Sequence, residues 1–492
     1  MRQPNVLFIM VDQWPGRLLG CDGHRVIETP TLDALARNGV RFPRAYAETP
    51  ICIPARRSVM TGTSPRRHGD RSFQPALAMP ALPTLAACFR AGGYQAQAIG
   101  KLHVYPQRDR IGFDDVHLAE EGRSQLGAVD DYELFLADRG FAGRQFLHGM
   151  SNNEYGWRPW HLPEDCHVTN WITFTAARAI KRRDPTRPAL WHVSYTHPHP
   201  PLAPLDSYLL RYRDRAIDPP AMGSWAADED DLPYALRLVR NFWERLPPER
   251  LADARRAFYA LCTHIDHQIR ILIGTLAEER MLDDTLIVVT GDHGDMLGDH
   301  GLYAKRYMYD GSVRVPMILV DVARSGRVVP GTVDERLVGL QDVMPTLLDL
   351  CGLPAPESCE GLSMVGERRR DVLYCEALEG PKATRMVVDG RFKLIWYPAG
   401  NRLQLFDVVE DPLETSDLSG SAAHADVRAR LETVLRRELY GSDLEWLRDG
   451  RLAGMAAPPV APSVNRGLSG QRGLHFPPLR PTDDPKEIVG TT

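Results

Sequence analysis

Asn5-Val-Leu-Phe-Ile-Met-Val-Asp12 opens the ordered pattern of this chain with an unbroken apolar run closed by a carboxylate. A run this short and this uniform reads as a strand buried on both faces, the signature of a parallel sheet covered by helices. Working outward, similar runs recur at Tyr94–Ile99, Ala189–Tyr195, Thr285–Thr290 and Val315–Val320. Helical stretches separate them: Thr31–Asn38 stopped by Gly39, Leu85–Ala91, the long amphipathic Leu251–Met281, and Val343–Cys351 closed by Gly352. Strands alternating with helices predict an α/β fold with a large, mostly parallel or mixed sheet sandwiched by helices.

The texture changes near Arg368. Asp371–Glu376, Arg385–Val388 and Phe392–Tyr397 are short strands at hairpin spacing, with Asp389-Gly390 as a turn, and Ala423–Tyr440 follows as a helix. The expected division is a catalytic α/β domain over 1–368, a smaller α+β subdomain with an antiparallel sheet over 369–455, and a Pro/Gly-rich tail over 456–492. That tail is either disordered or an oligomerisation arm.

Composition narrows the class. The 492 residues carry 59 basic and 64 acidic side chains, a net charge of −5 that argues against a nucleic-acid partner. No apolar run reaches the ~18 residues that cross a bilayer, so no membrane partner is expected. The eight cysteines show no CxxC spacing, and the first residues lack the long apolar core and cleavage site of a signal peptide. A cytoplasmic protein with reduced thiols is expected.

Chemistry concentrates at strand ends. Asp12 closes the first strand, where open α/β sheets place their ligands. Asp292 and His293 follow another apolar strand in Thr290-Gly-Asp-His-Gly294. Pro50-Ile-Cys-Ile-Pro-Ala-Arg-Arg-Ser-Val-Met-Thr61, followed by Gly62, reads as a helix start. Pro54 suits its first turn, and Cys52 falls where free N–H groups and the positive end of the helix dipole collect anions. Positive charge for an anionic substrate is available in Gly100-Lys-Leu-His103 and Tyr303-Ala-Lys305, and imidazoles in Tyr195-Thr-His-Pro-His-Pro-Pro201.

Cys52-x-Pro54-x-Arg56 with Thr61-Gly62 resembles the signature of the formylglycine-dependent (type I) sulfatases of the alkaline phosphatase superfamily. Thr29–Leu35, Ser312–Pro316, Asp342–Thr346 and Leu405–Glu414 extend the resemblance over nearly the whole chain. It implies an alkaline phosphatase-like fold and a sulfuric ester hydrolase acting on a small sulfate monoester. It also implies that Cys52 is oxidised to formylglycine by a maturation enzyme. One divalent metal, Ca2+ or Mn2+, would be held by Asp12, Gln13, position 52, Asp292 and His293. Lys101, Lys305 and Arg56 would neutralise the sulfuryl group, His199 would assist the leaving group, and His103 would act in the closing step. A homo-oligomer is expected.

Three positions depart from the family's common form. Ala55 stands where serine is usual, Gln13 where a second aspartate is, and His293 where asparagine is. The last two make the metal site less purely oxygen-rich, which favours manganese or another borderline ion over calcium. The same exchange occurs in relatives that hydrolyse phosphonate monoesters and phosphodiesters, so that activity is the alternative. Trp14, Asn152, Asn153, Glu154, Tyr155, Trp157, Trp160 and His197 are candidates for the leaving-group pocket, which suits an aryl, sugar or small alkyl ester equally.

Overall fold

The computed structural model describes residues 3–122, 128–243, 246–322 and 326–461. The eight strands of its central sheet are, in chain order, β1 (Asn5–Asp12), β2 (Val40–Arg41), β3 (Gln95–Gly100), β4 (Asp115–Leu118), β5 (Ala189–Pro198), β6 (Thr285–Gly291), β7 (Met317–Asp321) and β8 (Thr332–Val333). Across the sheet they run β4-β3-β5-β1-β6-β7-β2-β8. The first five in that order are parallel, whereas β7 pairs antiparallel with β6 and with β2. The sheet is therefore mixed. An apolar run encodes burial but not direction, so the reversal at β7 left no mark on the sequence. Pro316, which lacks an N–H, delays that strand to Met317.

The alternation of β1 divides the core in two. Val6, Phe8 and Met10 face one helical layer, Leu7, Ile9 and Val11 the other, and none is more than 1% exposed. The first layer contains α2 (Cys52–Thr61), α3 (Leu85–Ala91) and α6 (Val343–Leu350); the second contains α1 (Pro30–Asn38), α4 (Val168–Lys181) and α5 (Pro248–Glu278). The long helix starts three residues before the expected Leu251 because Pro248 fits the first turn, where its missing N–H has no intrahelical role.

A second sheet of four antiparallel strands follows: β9 (Leu373–Ala377), β10 (Thr384–Val388), β11 (Phe392–Tyr397) and β12 (Arg402–Asp407). Asp389-Gly390 turns β10 into β11, with Gly390 at φ 92° and Asp389 Oδ1 accepting from Phe392 N at 2.7 Å. One face, with Val387, Leu394 and Trp396, packs on Leu431 and Leu435 of α7 (Ala425–Glu438). The other face, with Met386, Ile395 and Phe406, joins the main core. The small sheet is thus a plate clamped between its own helix and the catalytic layers. The Pro/Gly-rich stretch expected as a tail or arm lies, from residue 462 onward, outside the described residues.

Candidate active site

The carboxyl ends of β1, β3, β5 and β6 meet at one rim, and the start of α2 closes it. Cys52 opens that helix, and Ala55 N returns to Ile51 O at 2.9 Å. Gly62 ends it at φ 65°, where a Cβ would lie 2.7 Å from Cys359 Sγ. Pro54 occupies the third rather than the first helical position, still among the N–H groups that have no intrahelical acceptor.

Four side chains, Asp12, Cys52, Asp292 and His293, place one ligand atom each within 4.8 Å of one another, all buried. Cys52 Sγ stands 3.2 Å from His293 Nε2 and 3.9 Å from Asp12 Oδ1. His293 Nε2 is 3.7 Å from both Asp12 Oδ1 and Asp292 Oδ1. His293 Nδ1 donates to the Gly294 carbonyl at 3.0 Å, which turns the Nε2 lone pair toward the cluster. Two carboxylates, an imidazole lone pair and a fourth donor from position 52 fit a single divalent cation.

Gln13, expected among the ligands, is hydrogen-bonded to the side chains around the cluster. Its Oε1 accepts from Lys305 Nζ at 2.7 Å and its Nε2 donates to Asp295 Oδ2 and to Tyr155 OH. Its backbone N–H donates to Asp292 Oδ1 at 3.0 Å, and its φ of 65° is left-handed, a conformation a glutamine holds only when its surroundings impose it. Arg56, expected at the sulfuryl group, is committed to the scaffold of the cluster. Its Nε donates to Asp292 Oδ2 at 3.0 Å, and its Nη1 donates to the Lys101 carbonyl at 2.7 Å and to Ser194 Oγ at 2.8 Å.

Lys101 pairs with Asp12 Oδ2 and, at 3.0 Å, with Glu121 Oε2. Burial would raise the Asp12 carboxyl, but Lys101, His199, Arg56 and His293 together hold it well below the usual carboxylate range. Burial and Asp12 would likewise push the Cys52 thiol up; Lys305, Lys101 and His293 outweigh them, and its net shift is downward. Lys305 Nζ donates to His199 Nε2 at 2.7 Å, while His199 Nδ1 donates to the Pro200 carbonyl at 2.7 Å. Burial, reinforced by Lys305, keeps that imidazole neutral. His103 sits at the flank at φ 58°, its N–H donating to Glu120 Oε1 at 2.9 Å and its ring against Phe73 with centroids 5.9 Å apart.

The aromatic and polar candidates separate. Trp14 is 0% exposed, donates Nε1 to the Leu18 carbonyl at 2.9 Å and belongs to the core. Tyr155 lies behind Gln13, donating to Asp295 Oδ2 at 2.6 Å and accepting from Ala304 N at 2.8 Å. Asn153 is buried, with its carbonyl accepting from Trp243 Nε1, and Glu154 Oε2 accepts from Ser151 N. Trp157 bridges to Leu202. Trp160 and His197 do line a cavity beside His199, together with Glu121, Phe146 and His148. Glu121, Phe146 and His148, with Ser194 and Asp295 in the supporting layer, carried no motif in the sequence; Ser194, next to Tyr195, and Asp295, three residues past Asp292, stood near one.

The family model described as Sulfatase matches residues 4–353, and one described as N-sulphoglucosamine sulphohydrolase, C-terminal, matches 298–440. An arylsulfatase of Clostridium perfringens is 34% identical over 468 residues, covering 91% of this chain and 96% of its own. A choline-sulfatase of Rhizobium meliloti is 32% identical over 434 residues, covering 85% and 82% respectively. Among solved structures, the phosphonate monoester hydrolase of Agrobacterium radiobacter superposes with a TM-score of 0.78 at 25% identity, covering 93% of this chain and 100% of that one. A family match over most of the length, on the fold whose strand ends and helix start gather these four donors, places the chain in the sulfatase family of the alkaline phosphatase superfamily, as a hydrolase of that class.

Proposed function

We propose that the chain hydrolyses a small organic sulfate monoester in arylsulfatase fashion, with position 52 as the nucleophile after oxidation to formylglycine. The observation that carries this reading is the convergence of Asp12, Cys52, Asp292 and His293 on one point, beside Lys101, Lys305 and His199. A divalent cation held by that set would supply Lewis-acid charge to the sulfuryl oxygens, and the hydrated aldehyde at position 52 would supply the attacking oxygen. One imidazole among the ligands favours Mn2+ or another borderline ion over Ca2+.

The chain's own groups then divide the work. Among the described residues Lys305 has no carboxylate at ion-pair distance and bonds to the neutral Gln13 Oε1 and His199 Nε2, which keeps its charge available to a sulfuryl oxygen. Removing one such donor costs about 10²–10³ in rate. The Lys305–His199 pair holds a proton beside the cavity, where an alcohol leaving as its alkoxide needs one. Lys101 fixes Asp12 and Glu121, and Arg56 fixes Asp292, so that the ligand atoms need little reorganisation. His103, on the loop that Glu120 holds, is assigned the closing proton transfer.

Mass spectrometry of the tryptic peptide Ala45–Arg56, from protein co-expressed with a formylglycine-generating enzyme, tests the nucleophile. An aldehyde at Cys52 with turnover of 4-nitrophenyl sulfate is expected; an unmodified thiol with no turnover would remove the central residue. The likeness to a phosphonate monoester hydrolase favours a second reading, hydrolysis of phosphonate monoesters or phosphodiesters on the same site. A higher kcat/KM on phenyl phenylphosphonate or bis(4-nitrophenyl) phosphate than on sulfate esters would establish it instead.

A further inference from the structure

We propose that Arg306 is a further substrate-binding residue, gripping a non-bridging oxygen of the sulfuryl group opposite Lys305. The inference rests on the ester-hydrolase reading above and deepens it. Arg306 is 4% exposed, yet its Nε and Nη1 are buried and meet no acceptor among the described residues. A desolvated guanidinium without a counter-charge is costly, and proteins retain one where a ligand supplies the missing anion.

Among the other cations around Cys52, Lys101 is paired with Asp12 and Glu121 and Arg56 with Asp292, leaving Arg56 Nη2 alone idle, while Lys305 bonds to the neutral Gln13 and His199. Arg306 stands apart from them in having two idle donors. It also stands at φ 87°, a left-handed backbone that glycine adopts freely and arginine does not. Charged residues such as Arg280 and Asp449 share that conformation at turns, but Arg306 combines it with burial and idle donors.

Its location fits the transferred group. Arg306 N–H donates to the Pro50 carbonyl at 3.1 Å, which ties its loop to the residues leading into Cys52. Burial lowers the guanidinium to about 10, and the Cys52 side chain is among the groups that act on it most strongly. The neighbouring Tyr307 hydroxyl is likewise buried without an acceptor or donor among the described residues. The planar fork of a guanidinium suits two oxygens of one tetrahedral anion, which is the form of the transferred group.

The test uses the full-length, metal-loaded protein with the Cys52 thiol intact, which binds without turnover. Calorimetric titration with inorganic sulfate and with 4-nitrophenyl sulfate compares wild type, Arg306→Gln and Arg306→Lys. Expected are a loss of at least tenfold in affinity for Arg306→Gln, partial recovery in Arg306→Lys, and unchanged metal content. In the matured enzyme kcat/KM on 4-nitrophenyl sulfate should fall about 100-fold in Arg306→Gln. Equal affinity and equal kcat/KM in a folded Arg306→Gln protein would overturn the proposal.

A crystal structure of the wild-type thiol form with sulfate decides the matter even if that variant folds poorly. A sulfate oxygen within hydrogen-bond distance of Arg306 supports the assignment, and a bound sulfate that leaves Arg306 untouched refutes it. A matured wild type without activity on any sulfate ester would sink the ester-hydrolase reading instead, and the sulfate contact would still judge Arg306.

Discussion

Lys305 Nζ donates to His199 Nε2 across 2.7 Å, with His199 Nδ1 locked to the Pro200 carbonyl. The imidazole is thus an acceptor toward the site, and the proton between the pair belongs to Lys305 in the resting state. If this pair protonates the departing alcohol, His199→Gln will slow poor leaving groups more than good ones. We expect a loss of about 10²–10³ in kcat/KM on an alkyl or unsubstituted phenyl sulfate and a smaller one on 4-nitrophenyl sulfate. A leaving-group plot over substituted phenyl sulfates measures this as a steeper slope. Parallel plots for variant and wild type would assign the protonation elsewhere.

Arg56 touches the site through Asp292. Its Nε holds Asp292 Oδ2 at 3.0 Å and so turns Oδ1 toward Cys52 and His293. Lysine keeps the charge but not the fork that reaches Asp292, Lys101 O and Ser194 together. Arg56→Lys should therefore weaken metal affinity about 10–100-fold, read by competition with a chelator, before any change in substrate KM is considered. Wild-type metal affinity with a raised KM would return Arg56 to the sulfuryl group.

Trp14 and Trp160 look equivalent in sequence and are opposites in the fold. Trp14→Ala should cost about 3–5 kcal/mol of stability, as loss of a buried aromatic does, measured by urea unfolding. It should leave the ratio of kcat/KM between two sulfate esters unchanged. Trp160 is half-buried against the cavity that holds His148 and His197. Trp160→Ala should shift that ratio by about tenfold while changing stability little. The reverse pattern would place the leaving group next to Trp14.

This contrast shows what the sequence could carry. Asp12, Cys52, Asp292 and His293 were legible because each sits at a strand end or helix start, where residue type and position both speak. Lys101, Lys305 and His199 became legible through their order along the chain. Trp14 did not, because its burial depends on a distant segment: Gly16 N donates to Arg314 O at 2.9 Å, and a Cβ at Gly16 would lie 2.9 Å from Val315 C. That contact anchors the segment that follows Trp14, whose Leu18 carbonyl accepts from the indole. Glu120, Glu121, Ser194 and Asp295 were silent for a related reason, since a single polar residue in a loop or strand has no periodicity to betray its partners. Arg306 belonged to no motif, and its burial shows only in the fold.

Glu48, four residues before Cys52, offers a test of the fold rather than of the chemistry. It is 1% exposed, and its two oxygens accept from Leu340 N at 3.2 Å and Gln341 N at 3.1 Å. Its own carbonyl accepts from Glu376 N at 2.8 Å, so it joins the catalytic layers to the small sheet. Burial, with Asp342 nearby, raises its carboxyl to about 7. The folded state then binds a proton that the unfolded chain has already released above its ordinary pKa of about 4.5. The stability this confers is fully present below that value and is lost as pH rises toward 7. Glu48→Gln is neutral at every pH and escapes the loss. Relative to wild type it should gain on the order of 3 kcal/mol between pH 4.5 and pH 8, read as the change in the difference between the two urea midpoints. A difference that stays constant over that range would mean Glu48 is ionised in the folded protein, with its charge balanced by groups other than the two amides.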